Sequence, residues 1–153
     1  MNIQRILFPY TGVDEESDLL VQICRYAKAV KASVTVLQVV EVPLSLPEDA
    51  PSTALPKMEE AHQLLECAEL IARRNGIQVE VEVMQAREVG PGIVRVAESL
   101  PADLLVVAGV RSAHHPDEPM GETIGYLLRN APCPIWIGCQ PNPNPNGKRD
   151  LEA

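Results

Sequence analysis

The chain has 153 residues, 46% hydrophobic and 22% charged, a balance that suits one globular domain with its own core and excludes a mostly disordered chain. Lys and Arg number 13 against 21 Asp and Glu, a net charge of -8, which argues against nucleic acid or an anionic membrane as partner, and the 3% aromatic content supplies no stacking platform for single strands. No apolar run approaches the roughly 20 residues of a membrane helix, and the opening Met1-Asn2-Ile3-Gln4-Arg5 does not read as a signal peptide, so the expectation is a cytoplasmic protein without membrane insertion.

Residues 5–10 (RILFPY) form a short apolar run, closed by a turn at Thr11-Gly12. The acidic stretch Asp14-Glu15-Glu16-Ser17-Asp18 suits a helix N-terminus, where the macrodipole favours negative charge, and Leu19, Leu20, Ile23, Cys24, Ala27 and Val30 follow at helical spacing. Residues 33–40 (SVTVLQVV) read as a β-branched strand. Pro43, Pro47, Pro51 and Pro56 mark residues 41–56 as a mobile connection rather than a packed element. A helix over about 56–75 buries Met58, Ala61, Leu65, Ala68 and Ala72 and ends at Asn75-Gly76. Residues 77–84 (IQVEVEVM) alternate, with Ile77, Val79, Val81 and Val83 on one face and Gln78, Glu80 and Glu82 on the other, as in a strand with one wet face near a sheet edge.

A third helix begins near Gly90-Pro91, with proline at its first position, and buries Ile93, Val94, Ala97 and Leu100. The apolar run from Leu104 to Gly109 reads as a central strand covered on both faces. A polar loop over 110–119 leads to a short helix over 120–130. The segment Cys133-Pro134-Ile135-Trp136-Ile137-Gly138 is a last strand confined to an edge by its prolines. The domain spans 1–140, and the low-complexity tail over 141–153 is expected to be disordered. No internal repeat is visible. None of Cys24, Cys67, Cys133 and Cys139 forms a CxxC pair, and the expectation is buried, reduced thiols, with Cys24 and Cys67 on buried helix faces.

Strict alternation of strand and helix implies a five-stranded parallel sheet with helices on both faces and right-handed crossovers. The third and fifth strands look like edges and the others central, which the order 3-2-1-4-5 satisfies. Ligands of such sheets bind outside the carboxyl ends of the strands where the order reverses. That places a site at Pro9-Tyr10-Thr11-Gly12 and from Gly109 onward, with Val39 and Val40 nearby.

The segments RILFPYTG, ASVTVLQVV, ADLLVVAGVRS and, above all, GETIGYLLRNAPCPIWI resemble the universal stress protein family over residues 3–138. The resemblance implies a Rossmann-like, adenine nucleotide alpha hydrolase-like fold. Family members that bind ATP carry a loop G-x2-G-x9-G-[ST], whose glycines let the backbone approach the phosphates, and an Asp at the end of the first strand helps hold adenosine. Here Thr11 stands at the Asp position; Gly109 keeps the first loop glycine; Ser112 replaces the second; eight residues, Ala113 to Met120, precede Gly121; and Glu122 replaces the small hydroxyl residue, with Thr123 one position later. Two like charges about 4 Å apart repel by about 4 kcal/mol at an effective dielectric of 20, roughly a thousandfold in affinity. Arg111, His114, His115 or a bridging Mg²⁺ would offset that charge, and Glu122 otherwise reads as a helix-capping acid.

The candidate nucleotide-binding residues are therefore Pro9, Tyr10, Thr11, Val39, Gly109, Arg111, Ser112, Gly121, Glu122 and Thr123, with ATP or AMP and Mg²⁺ as ligand. The cluster His114-His115-x-Asp117-Glu118 matches no strong metal motif and reads as a solvated loop, and His62 as a surface residue. No G-x-S-x-G elbow, Walker lysine loop, H-E-x-x-H or CxxC is present, so no catalytic residue is assigned. An apolar edge strand invites pairing, and in the family this last strand joins its twofold mate, so Pro134, Ile135, Trp136 and Ile137 are the candidate homodimer interface. The reading is a non-catalytic stress-response or regulatory module with a degenerate nucleotide site and an unidentified protein partner. The alternative is an ATP or AMP sensor with a modified phosphate loop.

Overall fold

The apolar residues of the first strand serve two cores at once. In the computed structural model, which describes residues 2–109, 121–139 and 141, strand β1 (Arg5–Pro9) buries Ile6 and Phe8 against one pair of helices and Leu7 against another. Period-two geometry sends neighbouring side chains to opposite faces, so a run of unbroken apolar residues needs cover on both. Helix α1 (Asp14–Val30), strand β2 (Ser33–Glu41), helix α2 (Met58–Arg74), strand β3 (Glu80–Ala86), helix α3 (Val89–Ser99), strand β4 (Leu104–Gly109), helix α4 (Gly121–Asn130) and strand β5 (Ile135–Cys139) follow. The five strands are parallel in the order β3-β2-β1-β4-β5, as the sequence pattern predicts. Helices α1 and α2 cover one face through Leu20, Ile23, Cys24, Ala27, Leu65, Ala68 and Ala72; α3 and α4 cover the other through Ile93, Val96, Ala97, Ile124 and Leu127.

Asp103 aligns the two central strands at their amino ends. Its Oδ2 accepts hydrogen bonds from the backbone N–H groups of Gln4 and Arg5, both at 2.9 Å, and its own N–H donates to the Arg5 carbonyl at 2.8 Å. Strand β1 then pairs with β2 through Arg5↔Ser33 to Pro9↔Leu37 and with β4 through Ile6↔Leu104 and Leu7↔Leu105.

Several sequence expectations are corrected. The 41–56 connection is packed. Val42 and Leu55 are buried with Val40, Met58 and Ala61, and a single 3-10 turn forms at Ser52–Ala54. Side chains at the carboxyl end of β3 and just after it tie down its backbone: Gln85 Nε2 donates to the Ala50 carbonyl at 2.8 Å, and Arg87 Nη1 donates to the Pro43 carbonyl at 2.7 Å and the Val42 carbonyl at 3.3 Å. Arg95 and Glu48 form an exposed ion pair at 3.0 Å. Prolines interrupted the helical and strand periods that announce packing, yet Val42, Ala50 and Leu55 still found a core.

Helix α3 begins at Val89, one position before Gly90, so Pro91 sits third; the first four N–H groups of a helix lack intrahelical acceptors, so proline costs no bond there. Strand β3 begins at Glu80, three residues later than expected, and Val81 is 41% exposed, since burial along the strand rises only toward its carboxyl end at Ala86. It is nevertheless an edge strand, as is β5, which starts at Ile135 and leaves Cys133 and Pro134 before it.

Cys24 is buried, but Cys67 and Cys139 are exposed and Cys133 is intermediate. Cys67 lies beside the buried stripe of α2 rather than on it, since Leu65, Ala68 and Ala72 already fill the face that meets the sheet. Burial pushes the Cys24 thiol up from 9.0 to about 11, and burial followed by the nearby Asp103 carboxylate also raises Cys133. Between pH 9.0 and about 11 the unfolded chain releases a Cys24 proton that the folded chain keeps, so this group's contribution to stability is present below that window and is lost as pH rises through it. With iodoacetamide at pH 8, mass mapping of the native protein is expected to find Cys67 and Cys139 labelled first and Cys24 only after denaturation; early labelling of Cys24 would contradict its placement.

Candidate functional site

The strand order reverses beside β1, so the crossovers to β2 and β4 leave on opposite faces, and the site expected of such a sheet lies outside the carboxyl ends of the central strands. A cavity of about 710 Å³ lies outside these ends on the β2 side. Its floor is Gln38 to Glu41 of β2. Lys57, Glu60, Ala61 and Leu64 at the start of α2 form one wall, and Val42, Pro43, Leu44 and Leu55 of the packed connection form another. Thr11, Arg87 and Val89 complete the rim. The volume suits a small-molecule ligand, and the mixture of apolar walls with a few polar groups is typical of such sites. The charged residues of the lining balance, Glu41 and Glu60 against Lys57 and Arg87. Arg87 is partly engaged, since one of its nitrogens already serves the Val42 and Pro43 carbonyls.

The loop between β1 and α1 is held by Glu16. Its Oε1 accepts from the Thr11 N–H at 2.6 Å, the Thr11 hydroxyl at 2.7 Å and the Gly12 N–H at 3.1 Å. Glu16 is the third residue of α1, the position from which a glutamate reaches back to amides ahead of the helix. Gly12 has φ +90°, so the turn requires glycine for its conformation, and the Leu64 Cδ2 methyl of α2 fills the space 2.5 Å from where a Cβ would lie.

The predicted site residues do not all meet at the cavity. Thr11 and Val39 line the cavity, Val39 while its side chain packs over Gly92 of α3. Pro9 ends β1 half-buried, and Tyr10 is 3% exposed, its ring 6.1 Å from that of Phe8 and its hydroxyl 3.0 Å from Ser17 Oγ. Tyr10 thus offers the site only its backbone. Gly109 ends β4, where a Cβ would lie 2.5 Å from Cys139 Sγ, so its lack of a side chain is already demanded by β5. Gly121, at φ +68°, Glu122 and Thr123 open α4 and are all exposed. Arg111 and Ser112, and the His114-His115-x-Asp117-Glu118 cluster, lie outside the described residues. Among the described residues, no group of three or more His, Cys, Asp and Glu is placed to hold a metal ion, and no helix is long and apolar enough to cross a membrane.

Sequence reasoning missed Glu16, Gln38, Leu64 and Arg87. Glu16 had a signal, a glutamate third in a helix that follows a Thr-Gly turn. Gln38 had one too, a lone amide inside the run SVTVLQVV. Leu64 and Arg87 had none, because their positions depend on how α2 and the 41–56 connection settle against the sheet.

The model of the universal stress protein family matches residues 2–137. No curated protein sequence matches significantly. Among solved structures, a universal stress protein in complex with cAMP superposes with a TM-score of 0.72 at 17% identity, covering 90% of this chain and 98% of that one. A universal stress protein from Archaeoglobus fulgidus in complex with dAMP gives 0.67 at 17% identity, with 90% and 98% covered. An Arabidopsis thaliana family protein with AMP bound gives 0.66 at 14% identity, with 90% and 92% covered. At these identities the likeness establishes the shared fold.

Replacing Glu16 by Ala is expected to cost about 1 kcal/mol, because the amides it holds turn instead to water at a mostly exposed loop. Glu16→Gln, which keeps an acceptor oxygen, should lose less. Urea denaturation of both variants checks this, and an Ala variant as stable as the native chain would remove Glu16 from the role described.

Proposed function

This chain belongs to the universal stress protein family, and from that premise we propose that it is a regulatory, non-catalytic module whose cavity takes the adenosine part of an adenine nucleotide while its altered phosphate loop grips the phosphates weakly. The observation that carries the reading is the cavity of about 710 Å³ at the carboxyl ends of β1 and β2, on the side of the switch point where Thr11 and Val39 lie. Its walls combine aliphatic side chains and the Gln38 amide with the balanced charges of Glu41, Glu60, Lys57 and Arg87, a mixture suited to holding a heterocycle. Relatives of the same fold that hold cAMP, dAMP and AMP support the ligand class.

The charge of Glu122 enters with a smaller magnitude than the sequence suggests. The side chain is exposed at the start of α4. In a water-like dielectric the repulsion at about 4 Å falls to about 1 kcal/mol, roughly fivefold in affinity rather than a thousandfold. That favours the sensor over a fully degenerate site. Thermal unfolding with millimolar AMP, ADP and ATP, each with and without Mg²⁺, tests it. A nucleotide at 100 times its Kd stabilises by about 2.7 kcal/mol, a rise of several degrees. AMP is expected to produce such a rise, ATP to add little to it, and Glu122→Ser to tighten ATP binding by about fivefold or less. No shift with any nucleotide would overturn the reading.

We further propose that the module acts as a homodimer through β5. Strand β5 pairs with β4 alone among the described strands, so its outer edge carries unpaired backbone groups. Trp136 is 42% exposed beside it, its ring 5.0 Å from that of Tyr26 of α1. Ile135 and Ile137 instead pack inward against α3 and α4. In sedimentation, the native chain is expected to run as a dimer and Trp136→Lys as a monomer; a dimer that survives the substitution would move the interface elsewhere.

A further inference from the structure

Gln38 is 9% exposed in a strand whose neighbouring positions are Leu37 and Val39. Alternation along β2 sends Val36, Gln38 and Val40 to the face covered by α1 and α2, the face on which Ala61 and Leu64 wall the cavity. Its Nε2 donates to the Tyr10 carbonyl at 2.8 Å. A backbone carbonyl only accepts, so the amide cannot be turned round without setting two oxygens against each other. The chemistry of the partner therefore fixes the orientation, and Oε1 is left as an acceptor. Among the described residues no donor reaches Oε1, and no fully buried side-chain polar atom goes without a partner. Gln38 lines the cavity, so a ligand there is placed to supply the donor that Oε1 lacks among the described residues.

We infer that Gln38 is a specificity-determining residue of this cavity, selecting a heterocycle that bears an exocyclic amine over one that bears a carbonyl at the same place. The inference rests on the nucleotide reading above and adds to it the group that is read. An amino heterocycle donates to the fixed Oε1. An oxo heterocycle brings a second acceptor against it, and the relief of rotating the amide is denied by the Tyr10 carbonyl. Leaving a largely desolvated acceptor unpaired costs more than a single neutral hydrogen bond contributes, so the preference should reach about tenfold or more.

The test titrates the full chain with AMP, IMP and purine riboside monophosphate, by calorimetry, in the native protein and in Gln38→Met. IMP carries an oxygen where AMP carries the amine, and purine riboside monophosphate carries neither. The native protein is expected to bind AMP at least about tenfold more tightly than IMP, with purine riboside monophosphate between them, and Gln38→Met to bring AMP and IMP within about twofold. AMP and IMP bound equally by the native protein would overturn the role of Gln38 and leave the nucleotide reading standing. Failure of every nucleotide to bind would overturn both. A preference unchanged in Gln38→Met would assign the discrimination to another group and so overturn the inference. Should Gln38→Met not fold, AMP against purine riboside monophosphate in the native protein decides, and equal affinity overturns it.

Discussion

Everything in this structure follows from where β1 sits. It lies between β2 and β4, with Ile6 and Phe8 committed to one core and Leu7 to the other, all essentially inaccessible. A strand buried on both faces demands helices on both, and the chain supplies them by sending its first two crossovers to one face and its last two to the other. The change of face happens beside β1. Among the described residues, the cavity forms beside it, at the carboxyl ends of β1 and β2.

The cavity keeps its shape because polar side chains hold backbone that regular structure leaves unpaired. Gln38 steadies the end of β1 through the Tyr10 carbonyl, Glu16 gathers the amides of the following turn, and Gln85 and Arg87 reach from β3 to the carbonyls of the 41–56 connection. A buried carbonyl without a donor costs as much as a lost hydrogen bond, so each of these contacts stabilises a wall as well as a fold. A pocket walled by held segments needs little ordering when a ligand enters, which favours binding.

Charge acts differently at the two ends of the site. Glu16 stands close to three donors and neutralises the positive potential of the β1–α1 turn from within the chain. Glu122 stands exposed at the start of α4, where solvent screens it. The same side chain therefore organises one loop and only modestly discourages an anion at the other, and the donors within its reach rather than residue type decide which.

Much of this was legible in the residues themselves. The alternation of strand and helix, the unbroken apolar run of β4 and the resemblance of GETIGYLLRNAPCPIWI to its family carried the sheet order, the helix faces and the open strand ends, because periodicity and burial are nearly the same information. Thr11 and Val39 were placed at the cavity for the same reason: topology puts the ends of β1 and β2 there. The sequence by itself thus determined the fold and the strand ends at which the cavity lies. Only the tertiary structure decided that the proline-rich connection packs as a wall, that Tyr10 turns its ring into the core, that Cys67 is exposed and that Gln38 presents a fixed acceptor. These depend on contacts between Gln85 and Ala50, Arg87 and Pro43, and Gln38 and Tyr10. Such pairs lie 28 to 44 residues apart, beyond any local period, and no pattern within a single helix or strand encodes them.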